Sequence, residues 1–65
     1  MKIRVNHDCG NVYKAGEIIS ADDLITSYIE CCCVETVVDY LSNTTKENAI
    51  KFIADAWEID YDIVI

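Results

Sequence analysis

The sequence predicts an α+β fold: one small domain over residues 1–65, in the order β-β-α-β-α-β, with helices packed on one face of a small, mostly antiparallel sheet. Three observations lead there. The two ends of the chain alternate apolar with charged residues, the period of half-buried strands. Ser20 and Thr44 each stand three positions before an acid and open runs whose apolar residues recur at helical spacing. The 65 residues include no proline and only two glycines, which leaves few breaks for long loops. A domain this short buries only about 60% of its unfolded surface. Its 52% hydrophobic content still supplies the core that a disordered tail lacks.

Met1 to Asn6 sets Lys2 and Arg4 on one side and Ile3 and Val5 on the other, which is a strand. Asn6-His7-Asp8-Cys9-Gly10-Asn11 is a turn cluster of Asx residues and glycine. Val12 and Tyr13 begin a second strand, so residues 2–14 read as a hairpin with a loop longer than the two-residue type. Gly16 marks a further turn, and Glu17 to Ile19 run as a short apolar strand into Ser20. Ser20 is a good N-cap with Asp23 in capping-box position, and Asp22 and Asp23 suit the positive end of a helix dipole. Leu24, Ile25, Tyr28, Ile29 and Cys32 follow at helical spacing, predicting a helix from Ala21 to about Cys31.

Val34, Thr36, Val37 and Val38 are β-branched and predict a strand over roughly Val34–Asp39. The rival is one long helix that continues through Cys32, Cys33, Val37, Tyr40 and Leu41. After Ser42-Asn43-Thr44, Thr44 and Glu47 form a second capping box. Ala49, Ile50, Ile53, Ala54 and Trp57 then make one helical face, for a helix over 45–57. Glu58 to Ile65 alternates throughout. Ile59, Tyr61, Ile63 and Ile65 form a buried side of a strand, and Glu58, Asp60 and Asp62 form an acidic one. Ending on Ile65, the chain is expected to tuck its last residues into the sheet.

Charge narrows the function classes. The net charge is −7 and the pI about 4.2, which disfavours direct binding to nucleic acid or to an anionic membrane and favours a basic protein partner. Residues 17–43 hold six acids (Glu17, Asp22, Asp23, Glu30, Glu35, Asp39) and no base. No secretory leader and no apolar run of about 18 residues is visible, so a cytoplasmic location with reduced thiols is expected.

Few residues suit catalysis. His7 and Cys9 would share a face on a strand, but a Cys–His nucleophile also needs an orienting group and an oxyanion site, and none can be named. The expectation is no enzyme and no cofactor. His7, Cys9, Cys31, Cys32 and Cys33 contain enough donor atoms for zinc. Their spacing is not the paired one of structural zinc sites, so the bland reading is a set of cysteines serving as small hydrophobes. A zinc-stabilised domain stays as an alternative.

The acids carry the sharper expectation. On a strand, Glu58, Asp60 and Asp62 stand about 6.8 Å apart, a spacing of the order of that between successive phosphates. Asp22, Asp23, Glu30, Glu35 and Asp39 would enlarge that patch. The bland reading is a solvated face that prevents edge-to-edge aggregation. Tyr13, Tyr28, Tyr40, Tyr61 and Trp57 exceed the needs of a tiny core and point to an association surface, although Trp57 continues the helical stripe and is expected first in the core. A self-pairing edge strand could instead give a homo-oligomer.

Ile3, Val5, Tyr13, Gly16, Glu17, Ile18, Ile19, Leu24, Ile29, Val34 and Glu35 make a pattern. It comprises a charged-apolar strand, a Tyr-x-x-Gly-acid-apolar-apolar step, an acidic helix and a closing Val-Glu. The pattern resembles small accessory proteins of bacteriophages and prophages, over a little more than half of the chain. It departs from them at Cys31-Cys32-Cys33, where a glycine is usual, and the second helix and last strand lie outside it. The resemblance implies a phage or mobile-element origin and carries over no catalytic residue. The expected function is that of a small acidic phage-type protein in the host cytoplasm. It would bind and inhibit or modulate a basic, nucleic-acid-binding host protein through a phosphate-mimicking surface. The alternative is a structural virion or assembly protein that acts through apolar oligomerisation.

Overall fold

The alternation of Lys2, Ile3, Arg4 and Val5 sets the architecture, because it gives the first strand one face for the core and one for water. The computed structural model describes all residues except 11 and 33. Its elements are β1 (Lys2–Val5), β2 (Ile18–Ser20), α1 (Ala21–Cys31), α2 (Glu35–Asn43), α3 (Lys46–Trp57) and β3 (Tyr61–Ile63). The strands form an antiparallel sheet in the order β2-β1-β3. Ile3 pairs with Ile19 on one side and Ile63 on the other, while Arg4 pairs with Ile18 and Asp62. Directly opposed residues share a face. Ile3, Val5 and Ile19 therefore point to the helices and are 0–6% exposed, while Lys2, Arg4, Ile18 and Asp62 form an outer, exposed face. The core joins these inner residues to Ala21 and Leu24 of α1, Leu41 of α2, Ala49, Ile50, Ile53 and Ala54 of α3, and Ile59. All twelve acids are exposed.

The α+β class and the placement of helices on one face agree with the sequence reading; the order becomes β-β-α-α-α-β. The strand expected over Val34–Asp39 is helix α2. Burial there follows helical spacing: Leu41 is buried and Val37 and Val38 are half-buried, whereas Val34 and Thr36, which would flank Val38 on one strand face, are exposed. Burying that i, i+1, i+4 stripe outweighs the β-branched preference, which is a weak one. The long-helix rival fails too. Cys32 (φ −112°, ψ 122°) and Val34 (φ −83°, ψ 110°) are extended and separate α1 from α2.

The hairpin over residues 2–14 is also corrected. β1 takes β2 as its partner, and Cys9 and Tyr13 form only an isolated bridge inside the connection. Two turns use Gly10 and Gly16, at φ +55° and +88°, and the Asp8 carboxylate accepts from the Ala15 amide at 2.8 Å to hold them together. Asn11 lies outside the described residues.

Helix α1 starts as its sequence indicates, with Ser20 Oγ accepting from the Asp23 amide at 3.1 Å. Helix α3 starts one residue later than expected: Thr45 Oγ1 accepts from the Asn48 amide at 3.2 Å. Thr44 is instead the C-cap of α2, its amide bonding to the Tyr40 carbonyl at 3.0 Å. Ser20→Ala and Thr45→Ala should each lower stability by about 1 kcal/mol, and Thr44→Ala by less than about 0.5 kcal/mol. Urea midpoints measure the difference, and an equal loss at Thr44 would move the cap back to it.

Candidate functional site

The eight acids expected to form one patch fall into three settings. Glu58 is not on a strand. It is the C-cap of α3 in the left-handed conformation (φ 56°, ψ 45°), and the next amide, that of Ile59, bonds back to the Ala54 carbonyl at 2.8 Å. Asp60 and Asp62 lie beside β1 and each meets side chains of the chain itself. Asp62 is 3.3 Å from Arg4 Nη2 and accepts from Asn6 Nδ2 at 3.1 Å, and Asp60 is 3.3 Å from His7 Nε2. The regular row of Glu58, Asp60 and Asp62 is thus broken at one end by a helix cap and matched elsewhere by internal partners. The alternation that suggested it begins three residues before the strand does. The buried side is corrected as well: Ile59 is 7% exposed and Tyr61 half-buried, but Ile63 is 46% and Ile65 75% exposed. The Ile65 carbonyl still accepts from the Lys2 amide at 3.1 Å.

The third setting is the helical layer. Asp22, Asp23 and Glu30 share the outer side of α1, and Glu35 and Asp39 stand one turn apart on α2. Asp22 pairs with Lys46 at 3.1 Å. Among the described residues, Asp23, Glu30, Glu35 and Asp39 have no ion-pair partner. Asp8, Glu17, Glu47, Asp55 and Glu58 likewise have none among the described residues, but residues 17–43 hold no base, so the acids of α1 and α2 are offset by Lys46 alone, whereas Asp62 on the last strand meets Arg4.

A second feature was legible only in part from the sequence, which singled out Tyr13, Tyr28, Tyr40 and Trp57 but neither Phe52 nor their contact. Tyr13, Trp57, Tyr28, Phe52 and Tyr40 form a continuous chain of rings, with successive centroids 6.3, 5.1, 6.0 and 5.5 Å apart. It runs from half-buried Tyr13 to Phe52 and Tyr40, which are 36% and 46% exposed. At the exposed end an open groove of about 700 Å³ lies along the outer side of α3. Tyr40, Phe52 and Tyr61 supply rings to its wall, and Lys51, Asp55 and Glu58 supply charges. Phe52 and Asp55 carried no sequence signal because they lie off the apolar stripe of their helix, and Lys51 read only as a water-facing partner of Glu47; the three become meaningful together only once Tyr40 lines the same groove.

Glu58 stands where helix geometry favours another residue. A non-glycine residue in the left-handed region costs about 1 kcal/mol, and an acid at a helix C-terminus opposes the dipole. Glu58→Gly should raise stability by about 1 kcal/mol, and Glu58→Gln, which removes only the charge, by about 0.4 kcal/mol. Equal gains for the two would put the whole cost in electrostatics.

The cysteine and histidine candidates do not converge. Cys9 Sγ donates to the His7 carbonyl at 3.3 Å, while the His7 ring turns to Asp60. Cys9, Cys31 and Cys32 are free thiols; of these small apolar groups Cys31 is exposed, and Cys9 and Cys32 are half-buried. Cys33 lies outside the described residues. Among the described residues no group of three or more His, Cys, Asp or Glu is placed to hold a metal ion, and no helix is long and apolar enough to cross a membrane. No family model, curated protein or solved structure matches the chain.

Proposed function

We propose that this protein is a non-catalytic interaction module that binds a basic protein and inhibits or modulates it, with the carboxylates of α1 and α2 as its main electrostatic surface. One observation carries the reading: Asp23, Glu30, Glu35 and Asp39 are exposed on consecutive helices without an ion-pair partner among the described residues. Four unmatched charges on one layer steer a positive partner and repel nucleic acid. Phosphate mimicry by the last strand is the weaker part of the proposal, because Arg4 and His7 already face Asp62 and Asp60. A phage origin, with a nucleic-acid-binding host protein in the cytoplasm as target, is the finer part and rests on the sequence resemblance alone.

The test is capture from a bacterial lysate on the immobilised protein at about 0.05 M salt, followed by elution at about 0.5 M, where the Debye length is a few ångströms. Basic proteins should be retained and then released. The fourfold variant Asp23→Asn, Glu30→Gln, Glu35→Gln, Asp39→Asn should lose them, and Asp60→Asn, Asp62→Asn should keep most. Retention unchanged in the fourfold variant would overturn the reading.

A second reading, apolar self-assembly, has its own observation. Both outer strands expose aliphatic side chains, Ile18 at 51% and Ile63 at 46%. It requires an oligomer whose size is the same at both salt concentrations.

A further inference from the structure

We propose that the groove along α3 is the pocket of this module, and that it takes an arginine or lysine side chain from a basic peptide segment of the partner. The inference rests on the acidic-module reading and adds the site and the recognised group.

Four features of the groove favour a cation. Its ring-bearing wall is Tyr40, Phe52 and Tyr61, with the Tyr40 and Phe52 centroids 5.5 Å apart and their planes inclined at 51°. Such a pair presents π faces to a flat guanidinium or an ammonium group and apolar surface to its aliphatic stem. Asp55 and Glu58, three residues apart and both exposed, outnumber the single Lys51 in the same lining. The C-terminal end of α3 carries the negative end of its dipole, and the last turn has no basic residue to offset it. The whole chain, at −7, adds a long-range attraction of the same sign.

The geometry also explains residues that folding does not require. Tyr40 and Phe52 expose 46% and 36% of their surface, and Glu58 holds a conformation and a charge that both disfavour it. A cationic side chain laid against the rings would cover them, supply the counter-charge missing from the helix end and pair with the carboxylates. A lone cation without the stem would gain only the electrostatic part. A neutral apolar peptide would gain only the ring contact, and an acidic one would be repelled.

The experiment is a titration of the ¹⁵N-labelled full chain with hexa-arginine, with hexaglutamate as control, followed by amide shifts and repeated with variants. Hexa-arginine should move the amides of 51–61 and of Tyr40 most, and hexaglutamate should move none. Asp55→Asn with Glu58→Gln should weaken binding about tenfold. Phe52→Leu, which keeps apolar volume and removes the ring, should weaken it about threefold. All three sites are exposed, so the variants should stay folded, and their amide spectra report it. If the fourfold α1/α2 variant abolishes binding while the groove variants leave it unchanged, the groove is overturned and the acidic-surface reading stands. If hexa-arginine binds neither the parent nor any variant, both are overturned.

Discussion

Ile50→Ala is expected to lower the unfolding free energy by about 4 kcal/mol, the upper part of the range for truncating a fully buried isoleucine. Ile50 is 0% exposed and sits on the inner face of α3, between the helical layer and the sheet. Its loss combines the transfer term with a cavity that Ile3, Leu24 and Ile53, all fully buried, cannot close without moving the sheet. A domain of 65 residues has about 3–10 kcal/mol in total, so the variant should be largely unfolded at physiological temperature. Thermal and urea melts measure it. The controls are Phe52→Leu, two residues along the same helix, and Ile18→Ala on the outer, exposed face of the sheet. They should cost less than about 1.5 and about 0.5 kcal/mol. An Ile18→Ala loss as large as that of Ile50→Ala would mean that the β2 edge strand is buried between copies, in line with the self-assembly reading.

Asp39→Pro should cost about 3 kcal/mol, and Asp39→Ala should be neutral or slightly stabilising. Residue 39 is exposed and lies in the middle of α2, so no packing is lost in either variant and the proline effect is a backbone one. Proline there removes the helical hydrogen bond of its own amide and clashes with the carbonyl one turn back. Alanine has the higher helix propensity and relieves the like-charge pair with Glu35 one turn away. Far-ultraviolet circular dichroism and urea melts check both. If 34–39 were an edge strand, proline would be tolerated and alanine mildly unfavourable, so the pair of variants separates the two conformations. The same measurement shows whether α2 unfolds alone: of its side chains only Leu41 is buried.

Much of the fold was legible in short-range chemistry. The bounds of α1 follow from Ser20, the two aspartates after it and the spacing of Leu24, Ile25 and Tyr28. The body of α3 follows from Ala49, Ile50, Ile53 and Ala54, which are all buried as their stripe implies. The errors share one cause. Thr44 and Thr45 are equally good caps in isolation, and the Thr44 amide is engaged by α2 only because α2 is a helix. Val37 and Val38 suit a strand by shape; they lie on a helix because Leu41, one turn away, reaches the core from there.

The candidate site divides the same way. That the protein is acidic, that three of its five bases lie in the first 16 residues and that residues 17–43 hold none could be counted from the chain. Which acids remain unmatched could not. Arg4 and Asp62 are 58 positions apart and meet only because β3 returns antiparallel beside β1. Asp22 is matched by Lys46 through the approach of α1 to α3.

By itself the sequence determined composition, net charge, the two capped helices and the α+β class, because each depends on residues within a turn or a strand of one another. Only the tertiary structure decided that residues 35–43 are helical, that Glu58 ends a helix instead of starting a strand, and that Tyr40, Phe52 and Tyr61 share a groove. Those outcomes depend on which distant surfaces exclude water together, and local propensities of a few tenths of a kcal/mol yield to that.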